Sequence, residues 1–215
     1  MKGITATCII RDRVVLKDGK VVFGNSGAAA GGSAGAETAA GSVAGMTGAG
    51  SAADNRRMGM GEFLLSLYRH SGLNYPRFYK MDLLSKLGWL AAEILLKDRF
   101  RAEHYRPEEV GIVLANANSS LDTDLKYFET VAAIPSPSLF VYTLPSIVIG
   151  EISIRHNFKG ESAFFVADRF DADFMEGYVR GLMKDNIFKA CIYGWVDLLG
   201  EEGEAVLFLM EKENG

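Results

Sequence analysis

The chain has 215 residues, 48% of them hydrophobic and 23% charged, which is enough apolar material for one substantial core. Its formal net charge of −4 and pI near 5.5 argue against a general nucleic-acid binder, which carries a basic patch. No apolar run approaches the roughly 18 residues of a membrane span, MKGITATCII lacks the apolar core and cleavage site of a secretory signal, and Cys8 and Cys191 have neither CxxC nor metal-ligand spacing. These features predict a cytoplasmic protein with two buried thiols and with no metal or cofactor.

Ile4 to Ile10 alternates as a strand does. Val14–Leu16 and Val21–Phe23 flank Lys17-Asp18-Gly19-Lys20, and an Asp-Gly pair between β-branched runs predicts a hairpin because both central positions take φ > 0. Residues 1–23 are therefore read as β-strands of the domain. Residues 24–60 are read as an inserted segment; from Gly24 to Ala53 it is almost entirely Gly, Ala and Ser, with Glu37 its single charge. Such a composition has too few large apolar groups to offset ordering entropy, which points to a flexible loop or linker. A phosphate-cradling loop would need a Walker pattern or a GxGxxG between strand and helix, and neither is present.

Residues 61–215 hold the remaining elements of one domain. Glu62 to His70 has the spacing of an amphipathic helix, and Asp82 stands as N-cap of a second helix, Leu83 to Lys97, with the basic residues Lys97, Arg99 and Arg101 expected in its last turn. Val110 to Ala115 is a short continuous apolar strand, followed by the polar turn Asn116–Ser120 and a helix over 122–130. Pro135, Pro137 and Pro145 punctuate the chain before a helix containing Ile147, Ile149, Ile152 and Ile154. Ile187–Val196 and Ala205–Met210 read as a closing antiparallel pair around the turn at Gly200–Glu204, so the overall pattern is mixed α/β.

The stretch Lys159–Asp185 organises the rest. Ala163–Val166 has the composition of a buried strand, Asp168, Arg169 and Asp171 interrupt it with charge, and Asp171 caps a helix over 172–185. That helix carries apolar residues on more than one side, among them Met175, Tyr178 and Leu182, with Gly177 and Gly181 four apart on one face. A surface helix has one apolar stripe about 100° wide, so this one reads either as a core helix with two tolerated glycines or as a helix sandwiched between its own sheet and a second subunit or sheet.

The order of these landmarks resembles the N-terminal half of β-ketoacyl synthases, which have the thiolase-like fold. The similarity runs from about Tyr75 to about Leu199. It rests on Asp82-Leu-Leu-Ser85-Lys86 with Ala91-Ala92-Glu93, on Val110–Leu114 and its small polar turn, and on Pro137, Phe140, Leu144-Pro145-Ser146, Gly150–Ile154 and Lys159-Gly160. The resemblance implies half of a thiolase-like fold, a mixed sheet with helices on both faces. In that family the nucleophilic cysteine comes nine residues after the glycine matched by Gly160, and Arg169 stands there. A guanidinium stays protonated and cannot attack a thioester. The family's catalytic histidines lie in its C-terminal half, and His70, His104 and His156 all precede the elbow, so none is carried over.

The resemblance thus implies a truncated, non-catalytic ketosynthase-like protein, acting as a homodimer or as a heterodimer with a full-length ketosynthase, in fatty-acid or polyketide assembly and with acyl carrier protein nearby. The family itself would imply an acyltransferase, a β-ketoacyl synthase. A second expectation is an acyl-thioester-binding or acyltransferase site at Asp168, Arg169 and Asp171, where a helix N-terminus suits an anion or acid–base chemistry; the plainer reading of that cluster is a salt-bridged, solvated elbow. A third is a purely architectural homodimer.

Overall fold

The computed structural model describes residues 3–24 and 58–212. The elements are β1 (Ile4–Arg11), β2 (Val14–Lys17), β3 (Lys20–Phe23), α1 (Met60–His70), α2 (Leu83–Leu96), β4 (Val110–Asn116), α3 (Leu121–Val131), α4 (Pro137–Phe140), α5 (Ile147–His156), β5 (Ser162–Val166), α6 (Ala172–Lys184), β6 (Ala190–Leu199) and β7 (Glu202–Glu211). The strands form one sheet of seven in the order β3-β2-β1-β7-β6-β4-β5. β4 runs parallel to both β5 and β6, and the remaining pairings, including β1 with β7, are antiparallel. Residues 25–57, nearly all of the Gly/Ala/Ser insertion expected over 24–60, lie outside the described residues; Met60 already belongs to α1 and is fully buried.

Local chemistry sets many of these boundaries. Asp18 (φ 49°) and Gly19 (φ 75°) form the positive-φ hairpin turn that Asp-Gly predicts. Asp82 caps α2, its carboxylate accepting from the Ser85 amide at 2.9 Å, and it also accepts from the Thr123 hydroxyl at 2.7 Å, which ties α3 to α2. Burial holds the Asp82 carboxyl above the usual carboxylate range. Lys97 ends α2 and Asp98 turns out of it at φ 61°, so Arg99 and Arg101 fall beyond the helix rather than in its last turn.

Alternation along the strands sorts side chains to two cores. On one face Ile112, Leu114, Ile192, Val196, Leu207 and Leu209 meet α1, α2 and α5. On the other, Val113, Ala115, Cys191, Tyr193, Trp195 and Met210 meet Met175, Val179 and Met183 of α6. The first core is closed by aromatics: Tyr68 stacks on Phe78 with centroids 4.1 Å apart and Tyr75 on Trp89 at 5.3 Å. Arg77 grips the buried Glu151 of α5 at 2.7 and 3.1 Å, and the Tyr142 hydroxyl donates to the same carboxylate at 3.0 Å. Two glycines permit close approach. A Cβ at Gly88 would collide with Val148 of α5, and one at Gly194 (φ 147°) would collide with the Val206 carbonyl.

Within this chain α6 is not a core helix: it buries a single stripe against its own sheet and leaves its other apolar side open, whereas in α2 Leu87, Trp89, Leu90, Ala91, Ala92 and Leu95 are all inaccessible. The reason is that α1, α5 and the aromatic cluster cover α2, while no described element of this chain lies over α6. Ala163–Val166 is not a buried strand: β5 is the terminal strand of the sheet and stays half-exposed, with Val166 59% accessible.

Leu90→Ala should lower the free energy of unfolding by about 2–5 kcal/mol, through lost apolar burial plus the cavity left behind. Urea denaturation followed by circular dichroism measures this.

Candidate functional site

The elbow between β5 and α6 is built from backbone pairing and a cap. The Ala167 amide donates to the Asn116 carbonyl at 2.9 Å, extending the β4–β5 ladder past Val166. Asp171 accepts from the Phe174 amide at 2.9 Å, and Asp173 adds a second carboxylate to the first helical turn. The positive end of the α6 dipole is therefore already met by acidic groups of its own chain, which opposes an added anion. Asp168 and Arg169 are exposed, and among the described residues neither makes a side-chain hydrogen bond or ion pair. The expected salt-bridged elbow is thus a solvated one without the bridges.

Beneath the elbow, Phe170 turns inward over Trp195 (6.1 Å between centroids) and Phe208 (6.2 Å), and Phe208 stacks on Tyr193 (5.2 Å). The neighbouring β4–α3 loop is fixed by Asp197, which accepts from the Ala117 amide (3.1 Å), the Asn118 amide (2.9 Å) and the Asn118 side chain (2.7 Å). Asn118 and Asp197 line a polar cleft of about 540 Å³ with Arg11, Arg13, Glu201 and Glu204. Its charges pair with one another, Arg11 with Glu204 and Arg13 with Glu201.

Neither thiol reaches the elbow. Cys8 lies within β1 and Cys191 within β6, both fully buried. Burial pushes the Cys8 thiol up to about 12 and the Cys191 thiol further in the same direction, the opposite of what a nucleophile needs. The histidines lie elsewhere: His70 against the Phe23 ring, 5.0 Å between centroids, His104 in an exposed turn, and His156 with its Nε2 2.8 Å from Glu93 Oε1.

The outer side of α6 is the second feature. Met175 faces the chain's own sheet, but a Cβ at Gly177 or Gly181 would meet no atom within 4 Å. Phe174 is 50% exposed, and Tyr178 and Leu182 are half-buried. Phe165, Phe174 and Tyr178 form an edge-to-face aromatic group where α6 meets β5, with Phe165 5.3 Å from Phe174 and 5.1 Å from Tyr178. A further exposed apolar stripe follows the helical period of α3 through Leu121, Leu125, Phe128 and Val131.

Comparison with known proteins places this architecture. No family model matches the sequence, and no curated protein matches it. Solved structures do. The ishigamide ketosynthase/chain length factor superposes with a TM-score of 0.61 over 98% of this chain at 16% identity. The fold is ketosynthase-like. A type II PKS acyl-carrier protein in complex with its ketosynthase bound to the hexaketide (AntDE:AntF) gives a TM-score of 0.53 over 66% of this chain and 49% of that one, at 20% identity. A ketosynthase (ApeO) in complex with its chain length factor (ApeC) from Xenorhabdus doucetiae matches over 66% of this chain and 63% of that one, with a TM-score of 0.49 and 16% identity. The chain spans 62% of the length of the ishigamide protein it matches. No described helix of the ketosynthase-like chain is long and apolar enough to cross a membrane.

Sequence reasoning missed one cluster on the opposite face. Glu93 of α2 accepts from Arg155 Nε at 3.0 Å and lies 2.8 Å from His156 Nε2, both from the end of α5. Burial raises the Glu93 carboxyl, but these two partners outweigh it and leave the group below its ordinary range. Only the helical phase of α5 could have hinted at this pairing, because the partners are far apart in sequence.

Two outcomes follow. Native protein should react with no equivalent of a thiol-specific chromogenic reagent, and denatured protein with both cysteines. Because Glu93 is depressed in the folded state, its stabilising contribution is present above its unfolded pKa of about 4.3 and is lost as pH falls below that value. Thermal melts from pH 7 to 3 should therefore show a gap between wild type and Glu93→Gln that closes below about pH 4.

Proposed function

We propose that this chain is a non-catalytic, ketosynthase-like accessory subunit that pairs with a ketosynthase in acyl-chain assembly. The observation that carries the reading is the uncovered outer side of α6, with Gly177 and Gly181 open beside an elbow that offers no thiol. Phe174, Tyr178 and Leu182 flank those glycines with accessible apolar surface, and the open edge of β5 continues it. Contiguous apolar patches of more than a few hundred Å² mark interaction surfaces, and an unpaired strand edge invites pairing with another chain. The fold shared with the ishigamide ketosynthase/chain length factor supports the same role here. Arg169 at the family's nucleophile position supports a subunit that shapes or supports acyl chemistry without performing the attack.

A second reading gives the Asp168, Arg169 and Asp171 elbow a role in holding an acyl-thioester. It is favoured by the exposed guanidinium of Arg169 and opposed by the carboxylates around it. Arg169→Ala that folds normally yet loses acyl-thioester binding would support it.

The deciding experiment is affinity purification of the tagged chain from its native host with mass spectrometry of what accompanies it. A ketosynthase or an acyl carrier protein should co-purify, and Gly181→Arg should abolish its capture while leaving the melting temperature of the chain within about 2 °C, since a side chain there meets open space. A chain that elutes as a monomer with no ketosynthase partner overturns the reading, and one that recovers only itself at dimer mass replaces it with an architectural homodimer.

A further inference from the structure

Across the sheet from α6 lies a cleft of about 610 Å³, where α1, α2 and α5 end beside the β2–β3 hairpin. That volume falls in the range of small-molecule sites, about 300–1,000 Å³, which combine apolar walls with a few polar groups. Phe23, Leu67, Ile94, Leu96 and Phe100 supply the apolar walls. Lys17, Lys97 and His70 supply bases.

The charges in this cleft are unequally matched. Glu93 is engaged by Arg155 and His156, and Asp18, beside the hairpin, by Arg99 at 3.0 Å. Lys17 donates to the Lys97 carbonyl at the end of α2 and makes no ion pair among the described residues. An ammonium has three donors, so two remain. Burial holds its pKa below the ordinary lysine value, against the opposing pull of the Asp18 and Asp98 carboxylates. The Lys97 side chain has no partner among the described residues, and Asp98 is the one carboxylate lining the cleft that no ion pair engages. Two lysines against one aspartate leave a single positive charge over an apolar floor.

We infer that this cleft binds an amphiphilic monocarboxylate, its alkyl chain on Phe23, Leu67, Ile94, Leu96 and Phe100 and its head between Lys17 and Lys97. An apolar chain gains by leaving water in proportion to the area covered, and a carboxylate between two ammonium groups forms charge-assisted hydrogen bonds. The site is independent of the pairing surface on α6, so either reading can fail alone.

The test is calorimetric titration of the full chain with decanoate and, separately, with 1-decanol. Decanoate should bind at one site, about ten-fold or more tighter than the alcohol, and more weakly as salt rises. Ile94→Trp, which fills the cleft, should abolish binding. Lys97→Glu, a change at an exposed position that leaves the fold intact, should weaken decanoate by about ten-fold or more and leave decanol unaffected. Gly181→Arg, on the opposite face, should change neither. Failure of wild type to bind decanoate overturns the inference, as does equal affinity for acid and alcohol, or binding that survives Lys97→Glu undiminished. Binding lost in Gly181→Arg would move the ligand to the α6 face and overturn it too.

Discussion

The structure depends on the enclosure of α2. Its central residues are inaccessible from every direction, held between the sheet on one side and α1, α5 and the Tyr68–Phe78 and Tyr75–Trp89 stacks on the other. Fully burying one Leu-sized side chain is worth roughly 1.5–3 kcal/mol, and α2 contributes several such side chains in a single helix. Polar links then fix its neighbours: Asp82 holds α3, and Glu93 holds the end of α5. Missing Cβ atoms matter as much, since the contact between α2 and α5 requires Gly88.

Against this saturated face, the other side of the sheet is only partly dressed. α6 buries Met175, Val179 and Met183 and presents Phe174, Tyr178, Leu182 and two glycines outward. The elbow sits at the end of the open face, capped by acidic residues and floored by Phe170, Trp195 and Phe208.

Much of the architecture was legible because it is written locally. Asp18-Gly19 specifies its own turn, Asp82 and Asp171 specify where helices begin, and the run Val110–Leu114 fits a strand covered on both faces. Less legible was what covers an element. The apolar pattern of 172–184 shows that two sides dislike water, but not whether this chain or another covers the second. The same pattern in 83–96 looked ordinary because its covering elements, α1 and α5, lie on either side of it in the sequence. β5 misled for a related reason: an unbroken apolar run resembles a central strand, and its place at the sheet's end follows from pairing order rather than composition. The Glu93–His156 contact could not be read at all, being a product of tertiary packing.

The strand order also bears on how the molecule comes to exist. β7 is the last of the described strands to be synthesised, yet it sits inside the sheet, joining β1 to β6. Until it emerges, the hairpin unit β3-β2-β1 and the parallel unit β6-β4-β5 have no strand between them, and each leaves an apolar edge waiting. Long-range pairings of this kind form slowly and expose sticky intermediates. The nascent chain is thus two half-sheets in search of a seam, and the final strand is the zip that closes them.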